Sequence, residues 1–220
     1  GKWLITNATN SLRRWATNTW REVLPALIDI QSPFAFIEGR ELFVARLGST
    51  MKLWNAVTWE PAGELQGALR NSVIWEANTI AVSPDVSRLF VTASRTTLES
   101  APIYSWNLIT RTALPIIDTG IAGFANSIAA PSDNILAIGQ ASGEVVLWDL
   151  SQGKIAHTLS AHDGRISDMS FFEGDPSQML TASVDRTIKI HDIRSMRLVH
   201  RFAGHEGVVS AARFLPNGNQ

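Results

Sequence analysis

The sequence predicts an all-β array of about five four-stranded antiparallel sheets, and three observations carry that prediction. A tryptophan closes a short apolar strand at Trp15, Trp54, Trp106 and Trp148, and His191 takes the same place in a fifth. The intervals are 39, 52, 42 and 43 residues. A four-stranded module needs about 40–45 residues, so recurrence at this period marks a chain built from repeats. Strands leading to the marker alternate apolar and polar residues (MKLW, EVVLW, TIKIH), the pattern of half-buried β structure. Clusters of Pro, Asp, Asn and Gly (SPDVS, APSDN, EGDPS, LPNGN) stand between strands and suit tight hairpins. A sheet this small cannot bury both faces alone, so the units must pack side by side as propeller blades do.

The elements align unit by unit. The second strands read KWLIT, ELFVA, RLFVTAS, NILAIG and QMLTAS, and the third strand of each unit ends on the marker. After it the segments stay in register as WATNTWREV, WNAVTWEPA, WNLITRTAL, WDLSQGKIA and HDIRSMRLV: a small residue or Asp/Asn, a polar turn, then the fourth strand. The approximate blades are 31–68, 69–118, 119–160 and 161–205, with a further blade from 1–30. The chain opens on a second strand and closes on a first strand, GHEGVVSAARFLPNGNQ. Residues 206–220 could therefore complete the N-terminal blade and hide both edges. A longer array cut twice at one hairpin gives the same arithmetic, and in that case open edges would favour self-association.

The last two units carry more specific residues. They contain LWD at Leu147–Asp149, IHD at Ile190–Asp192, AHDG at Ala161–Gly164, GHEG at Gly204–Gly207 and ASVDRTIKIHD from Ala182 to Asp192. On these motifs the chain resembles the WD-repeat β-propeller family. The likeness is strong over roughly residues 135–220 and rests on spacing over 1–134. It implies a structural hydrogen-bond network in which His162 meets Asp185 and Thr181 or Ser183, with His191 in the tryptophan place and His205 repeating His162. It also implies a face that holds peptide partners, formed by the loops before each first strand and between second and third strands. Arg165 and Arg186 lie in two of those loops.

Composition sets further bounds. The chain has 220 residues, a net charge of −1 and 45% hydrophobic residues, the profile of one globular all-β domain with no general pull toward nucleic acid. No apolar run is long enough to span a bilayer, and residues 1–20 lack the apolar core of a leader, which points to a soluble cytoplasmic protein with no membrane partner. Cysteine is absent, which excludes disulfides, zinc–thiolate sites and a Cys nucleophile. The five histidines form no metal-ligand spacing, and no nucleophile elbow or phosphate loop is present, so neither a metal, a cofactor nor a catalytic set is expected.

Other aromatic and charged residues point to binding. Trp15, Trp54, Trp106 and Trp148 are expected between blades. Trp20 and Trp59 each lie five residues past a marker, at a turn, where an exposed indole can anchor a partner. The third unit is longer than its successors, and SRTTLESAP, with Arg95 and Glu99, carries most of the excess. Long loops on a rigid scaffold are where recognition concentrates. The expected function is therefore a non-catalytic scaffold for a protein or peptide partner. Two alternatives are a sensor or regulatory array beside a catalytic domain elsewhere, and a propeller enzyme with a central-channel site.

Overall fold

A computed structural model describes residues 3–8, 11–37, 39–48, 50–67, 77–93, 102–121 and 125–214, and among these it contains strands and turns but no helix. The first sheet is β1 (Trp3–Ala8), β2 (Ser11–Ala16) and β3 (Arg21–Ile28). The second is β4 (Ile30–Ile37), β5 (Leu42–Leu47), β6 (Thr50–Asn55) and β7 (Pro61–Glu64). The third is β8 (Ala77–Val82), β9 (Arg88–Ala93), β10 (Ile103–Asn107) and β11 (Thr112–Ala113). The fourth is β12 (Ala125–Ser132), β13 (Ile135–Gln140), β14 (Glu144–Asp149) and β15 (Lys154–Ser160). The fifth is β16 (Ile166–Phe172), β17 (Asp175–Ser183), β18 (Ile188–Asp192) and β19 (Arg197–Phe202). Each sheet is an antiparallel meander in chain order. Hairpins one–two and three–four therefore share one end, called lower here; β1–β3 correspond to strands two to four of the repeat, so the β2–β3 hairpin is a lower one. The hairpin between strands two and three, and the link to the next sheet, share the upper end.

The sheets pack in chain order through their first strands. β4 lies against β8, β8 against β12 and β12 against β16, while β2 reaches β4. One apolar layer fills each junction. Leu12, Ile30, Phe43, Ala45 and Trp54 lie between sheets one and two. Ile37, Val44, Met51, Leu53, Leu89, Tyr104 and Trp106 lie between two and three. Phe90, Ile103, Ile128, Leu136, Ile138, Val146 and Trp148 lie between three and four. Ala137, Val145, Leu147, Ile166, Met169 and Met179 lie between four and five. Each buried side chain of this size contributes roughly 1.5–3 kcal/mol, so the junctions supply the cohesion that a lone sheet lacks.

The marker position has a physical reason. Trp54, Trp106 and Trp148 all fall in the layer between their own sheet and the preceding one, and all are buried. Trp15 belongs to the first sheet and is only half-buried, its indole N–H donating to Thr6 Oγ1 at 2.9 Å. The residue after the marker caps the lower turn. Asn55, Asn107, Asp149 and Asp192 each accept two backbone N–H bonds through one side-chain oxygen, at 2.8–2.9 Å. Five residues past the marker the backbone turns left-handed every time: Trp20 (φ 53°), Trp59 (67°), Arg111 (61°), Gly153 (62°) and Met196 (56°).

The two ends of the chain differ from the four-strand expectation. Three strands are described in the first sheet, and there β1 pairs with β2 along its length. Residues 203–214 form no strand and bond to the fifth sheet. Val209 N–H donates to Ser183 O at 3.1 Å, Ala212 N–H donates to Asp168 Oδ2 at 3.2 Å, and Arg213 pairs with Asp168. Phe214 packs on Phe172, with ring centroids 5.2 Å apart. Val209 is buried there, as its counterpart Ile166 is against the fourth sheet. The C-terminal segment thus lies on sheet five where the first strand of a following unit belongs.

Candidate interaction surface

The upper end of the fifth sheet is held by a buried polar network. His162, in the link from β15 to β16, is 6% exposed. Its Nδ1 lies 2.8 Å from Asp185 Oδ2, and its Nε2 lies 2.8 Å from Thr181 Oγ1. An ionised carboxylate only accepts, so Nδ1–H donates to Asp185 and the bare Nε2 accepts the Thr181 hydroxyl. Asp185 sits in the β17–β18 hairpin. It also accepts the Thr187 hydroxyl at 2.7 Å and backbone N–H bonds from Thr187 at 2.9 Å and Asp163 at 3.2 Å. Ser183 donates to Gly164 O at 3.0 Å and accepts the Asp185 N–H at 3.1 Å. Link and hairpin are thereby tied together by side chains from both.

Electrostatics follow from this enclosure. Burial pushes His162 below the ordinary imidazole value, although Asp185 pulls the other way. Burial also opposes ionisation of Asp185, but the bonds from Thr187 and His162 outweigh it and hold the carboxyl well below its usual range. At neutral pH the site is therefore a neutral imidazole hydrogen-bonded to an ionised carboxylate.

His191 stands apart from the network. It is buried, its Nδ1 has no hydrogen-bond partner among the described residues, and burial pushes its pKa down to about 4. It pairs across strands with Met179, which lies in the layer between sheets four and five, the place that sheets two to four give to tryptophan. His205, at the position repeating His162, is exposed. Thr187, which no sequence motif marks, bonds both Asp185 and His162, the latter at 3.1 Å. Its two-residue spacing from Asp185 is the signal that could have found it.

The charged residues expected to meet a partner divide by location. Arg165 and Arg186 are both exposed, on the β15–β16 link and at the tip of the β17–β18 hairpin, so both stand at the upper end of sheet five. Arg186 occupies the left-handed region with φ 70°. Arg95 and Glu99 lie outside the described residues.

The two turn tryptophans differ sharply. Trp20 is 69% exposed, as expected. Trp59 corrects the expectation of an exposed anchor, for it is 4% exposed. Its ring packs 6.0 Å from Phe43, and the Arg14 guanidinium lies over it at 5.1 Å. Arg14 also bonds Val57 O, so β2 grips the lower turn of the second sheet through this pair. Both tryptophans lie at the lower end, opposite to Arg165 and Arg186.

Among the described residues no cluster of His, Asp and Glu is placed to hold a metal, and no helix is long and apolar enough to cross a membrane.

Residues 153–192 match the family described as WD domain, G-beta repeat. The chain is similar to eukaryotic translation initiation factor 3 subunit I of Bombyx mori, 30% identical over 128 residues, covering 56% of this chain and 35% of that protein. It is also similar to a guanine nucleotide-binding protein subunit beta of Oryza sativa subsp. japonica, 27% identical over 110 residues, covering 46% and 29%. WD repeat-containing protein 3 of Homo sapiens is 29% identical over 114 residues, covering 51% and 12%. The match thus spans about a third or less of the length of these relatives. Residues 153–192 thus carry a WD repeat, and the antiparallel sheets stacked in chain order have the arrangement of a WD-repeat β-propeller.

Proposed function

We propose that the chain is a non-catalytic scaffold that binds a protein or peptide at the upper end of its sheets, with Arg165 and Arg186 among the contacts. The observation that carries this reading is the His162–Asp185–Thr187 network, which fixes two loops in one geometry and leaves two exposed arginines beside it. A preordered surface binds without the cost of ordering its loops. Two of the relatives are themselves named as subunits, which agrees with a role in assembly. The polar groups here satisfy one another rather than face a substrate, which supports binding over chemistry.

The test is affinity capture with the wild type and the R165E/R186E variant, with denaturation midpoints measured in parallel. The proposal expects a reproducible partner that the variant loses at unchanged stability. A partner retained equally by both proteins overturns the assignment of this end.

A further inference from the structure

We propose that the outer edge of the fifth sheet, strand β19, accepts an acidic, partly apolar peptide in extended form as an added strand. The inference is independent of the upper-end reading, because it concerns another surface and other residues.

β19 is the last strand of its sheet, and all six of its residues, Arg197–Phe202, are exposed. In the fourth sheet the corresponding strand β15 keeps two residues half-buried. An edge strand presents a row of backbone donors and acceptors to any strand that can approach, and addition to such an edge is a general mode of peptide capture. Its side chains then decide what may approach.

Those side chains are basic and apolar. Residues 186–202 contain Arg186, Lys189, Arg194, Arg197 and Arg201 against one acid, Asp192, in a chain whose net charge is −1. Asp192 is committed to its turn, capping Arg194 and Ser195 N–H, and Arg194 pairs with Asp175 at 3.6 Å. Among the described residues Arg197 and Arg201 pair with no carboxylate. Between and beside them Leu198, Val199 and Phe202 are exposed by 51%, 57% and 45%.

Register separates the two arginines by face. Arg197, His200 and Phe202 lie opposite Asp192, Ile190 and Ile188, which alternate along one face of β18. Leu198 and Arg201 lie opposite His191 and Lys189, on the other face. Each face thus offers one guanidinium beside apolar surface. A guanidinium binds carboxylate through paired hydrogen bonds. The same charges repel the matching edge of a second copy, so the edge discriminates against self-pairing while admitting an acidic strand.

The experiment is fluorescence anisotropy on the full chain with a labelled peptide of valines and two glutamates set three residues apart, so that the glutamates fall on opposite faces as the arginines do. Controls are the same peptide with lysines for glutamates, and one with backbone N-methylation on alternate residues. We expect saturable binding of the acidic peptide alone. Binding should weaken at least about tenfold in R197E/R201E and fall as salt rises from about 50 mM to about 0.5 M. Hydrogen exchange on the wild type should show β19 amides gaining protection in the complex, which keeps the test decisive should the variant fold poorly. The proposal is overturned by equal affinity for the acidic and lysine peptides, by an N-methylated peptide that binds as well as its parent, or by protection that appears away from β19.

Discussion

At the scale of single residues, the fifth sheet depends on groups that are buried, polar and mutually satisfied. Removing one partner of such a set leaves another unsatisfied, at a cost of about 1–3 kcal/mol. Asp185→Asn should therefore lower stability by about 2 kcal/mol, read as a shift in urea midpoint, and Thr187→Val by about 1 kcal/mol. A midpoint unmoved by Asp185→Asn would show that the network adds nothing to stability. Titration adds a second prediction. His162 and His191 are both held below the free imidazole value in the folded chain, His191 at about 4. The unfolded chain takes up their protons first as pH falls. Stability from these two groups is thus complete above pH about 6.5 and declines below it, by up to about 1.4 kcal/mol per pH unit for each, levelling off for His191 below pH about 4. Asp185, depressed in the folded state, adds a further loss once pH falls below the ordinary carboxylate value. In His191→Phe the slope of midpoint against pH between 6.5 and 4 should flatten relative to the wild type, and an unchanged slope would remove His191 from the explanation.

At the scale of hairpins and turns, two backbone positions make the argument testable. Gly143, in the β13–β14 hairpin, has φ 89°, and a Cβ there would lie 2.1 Å from the carbonyl oxygen of His162. The same hairpin accepts the N–H bonds of Ala161 and His162 through Gly143 O. Gly143→Ala should therefore displace the link that carries His162 and cost more than about 1 kcal/mol, lowering the thermal midpoint. Trp20 holds a left-handed conformation that costs a residue with a side chain roughly 1–2 kcal/mol, and its indole is mostly in solvent. Trp20→Gly should raise the midpoint modestly, since Gly153 already fills the equivalent turn in the fourth sheet. A drop would mean that the indole contributes packing that exceeds the backbone strain.

These elements also show what the sequence could express. The markers, the Asn/Asp caps and the shared turn position were legible because each depends on residues within one hairpin. The burial of Trp59 was not, because it is decided by Arg14 and Phe43, which are distant in sequence. Thr187 was missed for a subtler reason: its role shows only when the hairpin folds back onto His162, 25 residues earlier.

At the scale of the whole molecule, periodicity translated directly into architecture, because the junctions from sheet two to sheet five repeat one plan: first strands in contact, and a marker buried against the preceding sheet. The first sheet departs from the plan in its strand number and in the partial exposure of Trp15. The candidate surface was legible as a loop cluster, since antiparallel order alone sends the β15–β16 link and the β17–β18 hairpin to one end. The pairing of arginines with apolar residues on β19 was not read in advance, as it follows from exposure and register rather than from any motif.

The most direct test of this architecture is residue-resolved amide hydrogen exchange by NMR. The account predicts slow amides recurring in the second and third strands of sheets two to five, at β5 and β6, β9 and β10, β13 and β14, and β17 and β18, with faster exchange in β15 and β19. Protection continuous through the inter-strand turns, or confined to a single sheet, would contradict it.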